Sequence, residues 1–271
     1  MSNGNVAVIG GAGKMGIALI DGLIAAGEVA PESIAATARH ERSLGKLGDR
    51  KVRRTVDNAA AAAAASVIVL SVHPTDLERV AADIRDSVGP DSLLISIITG
   101  ASTRRIEAAL DRPLAVVRAT PNIAAVVGSS MTAVCPGAHA NPEHLARTRR
   151  IFETVGRVVE LDERHMNSCT GLAGCGPAFA FKIIEALAEG GVKMGLPRDA
   201  SRTMAAQVLR GAADLVLETG RHPAALKDEV TTPGGCTIDG ITKLEARGLA
   251  IALIEAVEVS STKAGLLGEE D

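Results

Sequence analysis

The chain has 271 residues, more than one compact core usually holds, so two domains are the starting expectation. Hydrophobic residues make up 46% and charged residues 23%, a globular balance, and the net charge of -3 implies no basic face for nucleic acid or anionic membrane. Trp and Tyr are absent, which removes the stacking platforms used by single-stranded nucleic-acid binders.

Met1 to Asn5 lacks the basic and apolar regions of a signal peptide. No apolar run looks long enough to span a bilayer, so the cytoplasm is the expected compartment. Val6-Ala7-Val8-Ile9 predicts a strand, followed by glycines and an amphipathic helix from Lys14 to Ala26 with Gly27 as its stop. Ser33 to Ala38 predicts a second strand and Val52 to Val56 a weaker one. The alanines from 59 to 65 read as a short helix capped by Asp57 or Asn58. Further strands are expected at 67–72, 93–98, 114–117, 131–135 and 157–161, with helices at 76–86, 103–110 and 142–153 between them. Continuous apolar strands separated by helices point to a parallel sheet covered on both faces.

After about Glu163 strand-like runs disappear. Helices fit 177–193, 197–219, 224–230, 237–246 and 249–267, and several are apolar over more than one stripe, as in subunit interfaces. The expected fold class is therefore an α/β N-terminal Rossmann-like doubly wound sheet, residues 1–162, plus an all-α C-terminal dimerisation domain, residues 163–271. Cys135, Cys169, Cys175 and Cys236 form no CxxC pair and lie away from histidines at ligand spacing, so free thiols are expected and no metal.

Gly11-Ala12-Gly13-Lys14-Met15-Gly16 has the GxGxxG spacing. After a strand and ahead of a helix, such glycines permit a tight turn, close approach to a pyrophosphate and use of the helix N-terminus for phosphates. A Gly-rich structural turn fits the same spacing. Thr37-Ala38-Arg39-His40 ends the second strand without the acidic residue that NAD binding usually places there. Arg39 can pair with a 2′-phosphate, a charge-assisted bond of about 1.5–3 kcal/mol, so NADP(H) is expected, with NAD(H) left open because a solvated Arg39 reads the same way.

Val230-Thr231-Thr232-Pro233-Gly234-Gly235-Cys236-Thr237 runs between two helices. Its Pro-Gly-Gly would expose backbone N–H groups in a concave turn suited to a small carboxylate, helped by a helix dipole worth about 0.3–1 kcal/mol. A plain helix–helix turn is the competing reading. The glycines of Thr170 to Pro177 allow close approach to a neighbouring helix or to a ligand.

Together these pieces resemble the pyrroline-5-carboxylate reductase family. Ser71-Val72-His73-Pro74 is similar to that family's A-V-K-P, and Val117-Arg118-Ala119-Thr120-Pro121-Asn122 to its V-R-x-M-P-N. Gly171 to Pro177 resembles A/G-L-S-G-S-G-P, Gly191 to Arg198 resembles G-V-K-x-G-L-P-R, and His222-Pro223 with Val230 to Thr237 resembles the C-terminal H-P…V-(S/T)-S-P-G-G-x-T. The resemblance implies a Rossmann domain, an interlocked helical homodimer, decamers in some members, and NADPH-dependent reduction of 1-pyrroline-5-carboxylate to proline. It implies cofactor contacts from Gly11, Ala12, Gly13, Lys14, Met15, Thr37 and Arg39. Asn58 would lie on the adenosine side, Val72, His73 and Pro74 along the groove, and Asn122 near the nicotinamide. It places the substrate on Val230, Thr232, Gly234, Gly235, Cys236 and Thr237, with Cys175 and Thr170 nearby, and makes Thr237 and Thr170 the catalytic candidates.

The chain departs from that pattern at the doubled Gly10-Gly11, at Thr120 and Ile123, at Ala173 and Cys175 in place of serines, at Phe179, and at His73 in place of lysine. Hydride transfer to a C=N bond needs a positioned ring more than an acid, and a protonated imine needs no further proton donor. Otherwise the Thr237 hydroxyl or a water is the nearest donor. Two alternatives remain: reduction of another cyclic imine carboxylate, and a cofactor-binding regulator that has lost turnover. A β-hydroxyacid dehydrogenase of this architecture needs a lysine motif that Lys182 and Lys193 do not supply.

Overall fold

A computed structural model describes residues 4–269 of the chain. The strands are β1 (Val6–Ile9), β2 (Ile34–Thr37), β3 (Arg53–Thr55), β4 (Val67–Leu70), β5 (Leu93–Ser96), β6 (Ala115–Thr120), β7 (Ser130–Pro136) and β8 (Gly156–Glu160). They join in one sheet in the order β3-β2-β1-β4-β5-β6-β7-β8. Between them lie α1 (Lys14–Ala25), α2 (Glu41–Leu44), α3 (Asn58–Ala63), α4 (Leu77–Ile84), α5 (Thr103–Leu110) and α6 (Pro142–Glu153).

The first six strands are parallel and follow the doubly wound order, with the chain reversing direction across the sheet at β1. β1 and β4 are apolar throughout, and β5 up to Ser96, because each face meets helices. Val6, Val8, Val67, Val69, Leu93 and Ile95 pack with Leu19, Ile20 and Leu23 of α1 and Phe152 of α6. Ala7, Ile9, Ile68, Leu70 and Leu94 point the other way, onto Leu77, Val80 and Ile84 of α4 and Ile106 of α5. The period of two along the strands thus divides one sheet between two cores. Each fully buried Leu or Ile adds about 1.5–3 kcal/mol.

The sheet differs from the expected parallel arrangement in one place. β7 runs antiparallel to β6, with Arg118 opposite Cys135. Only residues 121–129 connect the two strands, and a parallel crossover takes about a dozen residues or more. At α3 the structure chooses between the two candidate caps: Asp57 Oδ1 accepts from the Ala60 N–H at 2.9 Å, which leaves the Asn58 side chain free for other work.

The remaining elements are α7 (Met166–Cys169), a π-helical turn (Thr170–Gly174), α8 (Gly176–Lys193), α9 (Arg198–Thr219), α10 (Pro223–Glu229), α11 (Cys236–Ala246) and α12 (Leu249–Glu269). The glycine-rich stretch is therefore no break. Its Cys175 N–H bonds the Thr170 carbonyl at 2.9 Å and carries the helix on. This corrects the expectation that no segment is long enough to cross a membrane: the continuous run Glu163–Lys193 meets that test by length and composition. The sequence reading missed it by splitting the run at the glycines.

The chain divides into two compact units. One holds the residues through Cys175 together with those from Glu258, and the other is Gly176–Val257. The first contains the sheet. Within the second, α8 and α9 pack together, and the turn between them brings Gly191 against Ser201. Among its described residues only Ser201 and Ala205 are buried, while Phe181, Val208 and Ile251 are each 63% exposed. A unit with so much apolar surface has no adequate core of its own.

Candidate active site

The loop after β1 is shaped by two close approaches. Gly10 has φ +80°, and a Cβ there would run into the Ser71 carbonyl oxygen and come within 2.9 Å of Val72 Cγ1. A Cβ on Gly16 would meet Gly11 Cα at 2.6 Å, so α1 can start against the loop only without a side chain at that point. Gly11 and Ala12 are buried behind the turn, where the Gly11 N–H bonds Val8 O at 3.0 Å and the Ala12 N–H bonds Thr37 O at 3.3 Å. The doubled glycine is thereby accounted for. Gly10 makes the reversal and accepts from the Gly13 N–H at 2.9 Å, and Gly11 packs on Ala36 of β2. No side chain caps α1, whose N-cap is Gly13, so its first N–H groups stay available.

Two cavities flank the segment Ser71-Val72-His73 at the C-terminal ends of the strands. One, of about 250 Å3, is lined by Gly10, Thr37, Arg39, Asn58, Val72 and His73, and also by Asp76, Arg79 and Asp83. The other, of about 370 Å3, is lined by Gly13, Lys14, Met15, Val72, His73, Pro74, Ile97, Thr99 and Pro121. Thr37 ties the first one together. Its hydroxyl accepts from the Gly10 N–H at 3.1 Å and donates to Asn58 Oδ1 at 2.8 Å. The Asn58 amide in turn donates to Asp83 Oδ2 at 3.0 Å. The hydrogen bond from Arg79 holds the Asp76 carboxyl below the ordinary range against the opposing effect of burial, with the charges of Arg79, Arg39 and His73 adding to it.

The structure thus brings Gly13, Lys14, Met15, Val72, His73 and Pro74 to one cavity and Thr37, Arg39 and Asn58 to the other. Gly11 and Ala12 support the loop from behind, and Asn122 lines neither cavity. The Asn122 side chain is already committed: its amide donates to Ala173 O at 2.9 Å, and its Oδ1 accepts from the Ala124 N–H at 3.0 Å. It fastens the π-helical turn to the end of β6. Gly10, Asp76, Arg79 and Asp83 were missed in the sequence. Gly10 lies outside the GxGxxG register, and the other three reach the cavity from or beside α4 at helical spacing, which marks a solvated helix face equally well.

Thr170 is buried, and its hydroxyl donates to Met166 O at 2.9 Å. Cys175 closes the same turn and is half-buried. Beneath this turn lies a cluster around the buried Arg118 side chain: Arg118 Nη1 is 3.4 Å from Oε1 of the half-buried Glu163, Arg118 Nη2 donates to Asn167 Oδ1 at 3.2 Å, and Glu163 accepts from both N–H and hydroxyl of Thr103. Burial pushes the neighbouring Cys135 thiol up to about 12, with the Glu163 charge adding to the rise and Arg118 opposing it. In native protein at pH 8, Cys135 should therefore escape a disulfide reagent that reaches it once guanidinium is added. Labelling of the Cys135 peptide at its denatured rate would contradict this.

In the helical unit, Thr232 to Gly235 forms a tight turn with Pro233 second, Gly234 third at φ +65°, and a Gly235 N–H to Thr232 O bond of 3.0 Å. A Cβ on Gly235 would strike Thr232 Oγ1. Gly235 is the N-cap of α11 and no side chain caps it, so the N–H groups of Cys236 and Thr237 open the helix unpaired within it. The cap is thus Gly235 and not a threonine. Val230 and Cys236 are exposed, and Thr237 is half-buried. Lys182 lies at 2.6 Å from Glu185 on an exposed helix face.

The chain was compared with known proteins. It is 42% identical to a pyrroline-5-carboxylate reductase of Methanosarcina acetivorans over 100% of both chains, and 37% identical to that of Escherichia coli over 91% of this chain and 92% of the other. It belongs to the pyrroline-5-carboxylate reductase family. The family model described as pyrroline-5-carboxylate reductase dimerisation matches residues 163–267, and one described as NADP oxidoreductase coenzyme F420-dependent matches residues 5–100. Among solved structures, a pyrroline-5-carboxylate reductase from Coxiella burnetii superposes with TM-score 0.90 at 32% identity, covering 98% of each chain. The Plasmodium falciparum pyrroline carboxylate reductase, solved with NADP bound, superposes with TM-score 0.89 at 27% identity, covering 99% of each.

Membership makes the chain an NAD(P)-dependent oxidoreductase with a dimerisation region in its helical part. The glycine loop fits such a cofactor: Gly13 is exposed, and the first N–H groups of α1 carry no side-chain cap.

Proposed function

We propose that the protein reduces the C=N bond of 1-pyrroline-5-carboxylate to give L-proline, with NADPH preferred over NADH. The observation that carries the reading is the family relationship over the whole chain, glycine cradle and Pro-Gly-Gly turn included. Residues 1–162 act as the cofactor domain and 163–271 as the substrate and dimerisation domain of a homodimer. The match to 163–267 and the exposed apolar faces of the helical unit support this.

When bound, the nicotinamide supplies the hydride. The chain's own residues bind and orient. Gly11, Ala12 and Gly13 with Lys14 and Met15 form the pyrophosphate loop, Thr37, Arg39 and Asn58 hold the adenosine end, and Val72, His73 and Pro74 wall the groove. Asn122 keeps the π-helical turn in place through Ala173. The substrate carboxylate is assigned to the turn of Val230, Thr232, Gly234 and Gly235 and to the free N–H groups of Cys236 and Thr237. The Thr237 hydroxyl is the assigned proton-holding group. Thr170, whose hydroxyl proton is spent on Met166 O, and Cys175 complete the assignment from the turn before α8.

NADPH and NADH oxidation assayed with pyrroline-5-carboxylate and with piperideine carboxylate tests the reading. The five-membered imine with NADPH should give the highest kcat/KM. A preference for the six-membered imine would make this a reductase of another cyclic imine carboxylate, and tight NADPH binding with no imine reduction would make it a cofactor-binding protein. Thr237→Ala is expected to raise the substrate KM about tenfold, the worth of one charge-assisted hydrogen bond. An unchanged kcat/KM would remove Thr237 from the site.

A further inference from the structure

Resting on the NADPH reading, we propose that Arg79 is a second ligand of the cofactor's 2′-phosphate, acting with Arg39 at the Asp76 carboxylate. The two guanidinium groups converge on one oxygen. Arg79 Nη2 lies 2.8 Å from Asp76 Oδ1, and Arg39 Nη1 lies 3.8 Å from the same atom. All three residues line the cavity that also holds Gly10, Thr37 and Asn58. An anionic oxygen between two guanidiniums is the arrangement that a phosphate oxygen would take up, and Asp76 Oδ1 fills that role in the protein alone.

Arg79 is also steered from behind. Its Nη1 lies 3.4 Å from Asp83 Oδ2, the oxygen that receives the Asn58 amide at 3.0 Å. Asn58 is bonded to Thr37, and Thr37 to the Gly10 N–H. The guanidinium is thus connected by side-chain hydrogen bonds to the glycine loop.

Arg39 and Arg79 are the two arginines that line the cavity, and a group with several anionic oxygens can engage both. A 2′-phosphate carries about -1.5 to -2 and accepts from both arginines through separate oxygens, whereas Asp76 engages them through one. NADH brings a neutral hydroxyl to the same place and cannot displace Asp76. A bare i,i+3 pair on an exposed helix would contribute little to stability, so a surface role predicts almost no effect of removing Arg79. The two side chains are 47% and 68% exposed, so solvent screening limits the gain from each to about tenfold in affinity.

The test is equilibrium binding of NADPH and NADH to the full-length protein, read by the nucleotide's own fluorescence, which no Trp obscures. Arg79→Gln is expected to raise the Kd for NADPH about tenfold, to leave the Kd for NADH unchanged, and to leave the melting temperature unchanged. Arg39→Gln is expected to do the same. Equal weakening of both nucleotides by Arg79→Gln, or of neither, overturns the assignment. If Arg39→Gln is selective while Arg79→Gln is not, the NADPH reading stands and Arg79 falls. Wild-type protein that binds both nucleotides equally overturns the NADPH reading itself, and the second ligand with it.

Discussion

Gly10→Ala is expected to abolish tight cofactor binding and to lower the melting temperature by about 5–15 °C. Two independent costs add at this position. The backbone sits at φ +80°, where an L side chain costs about 1–2 kcal/mol. The new methyl also faces backbone rather than a side chain that could swing away, namely the Ser71 carbonyl, with Val72 beside it. Overpacking against an immovable group costs about 1–3 kcal/mol. For a chain of this size each kcal/mol moves the melting temperature by about 2–4 °C. Relief would come by pushing the loop away from Ser71-Val72-His73, the segment shared by both cavities. The Kd for NADPH should therefore rise at least about a hundredfold.

Gly13→Ala separates the two effects, because a Cβ there meets only Gly10 O at 3.2 Å. It should keep the melting temperature within about 2 °C of wild type while weakening NADPH, since the methyl projects at the helix entrance. Calorimetry and nucleotide fluorescence check both variants. A Gly10→Ala protein that binds NADPH as tightly as wild type would show that the loop does not cradle the pyrophosphate.

Glu163→Ala is expected to be the most damaging single change away from the cofactor, with a loss of about 3–5 kcal/mol. The Arg118 guanidinium is on β6 with its side chain 4% exposed, and its Nε has no partner. Without Glu163 its charge would keep only the Asn167 carbonyl as an acceptor. The same deletion strips the Thr103 N–H and hydroxyl at the start of α5 of their acceptor. Desolvated charge and unpaired donors add in the same direction. Glu163→Gln, which keeps an acceptor for Thr103, should cost less. The double variant Arg118→Met with Glu163→Leu should recover part of the loss, because it removes the buried Arg118 charge together with its half-buried partner. Urea unfolding read by circular dichroism measures all three. A Glu163→Ala midpoint equal to that of wild type would show that the ion pair is dispensable.

Much of the architecture was written in local patterns. The apolar runs at 6–9, 67–70 and 93–96 are buried strands because no water reaches either face, and such a strand needs nothing but length and β-branched or aliphatic residues. The GxGxxG spacing marked the loop for a similar reason, as close backbone approach leaves glycine as its trace in the chain. The Pro-Gly-Gly turn was legible because a positive φ at the third position of the turn demands Gly234.

What stayed hidden depends on distance. The reversal of β7 is set by the length of chain available to cross the sheet, and apolar runs carry no direction. The π-helical turn hides behind glycines that read as a break, until the Cys175 N–H finds the Thr170 carbonyl. Arg79 looked like one more charge on a solvated helix face, until folding brought it and Arg39 to one carboxylate oxygen.

The sequence by itself determined the strands, the glycine loop, the Pro-Gly-Gly turn and, through its motifs, the family. Those features are local: burial, backbone angle and helix periodicity act between residues close in the chain. Only the tertiary structure decided that Gly10 rather than Gly11 makes the reversal, that Asn122 holds the π-helical turn, and which acidic and basic side chains share the cofactor cavity. These rest on contacts between segments separated by tens of residues, whose partners are chosen by packing of the sheet and not by any neighbour in sequence.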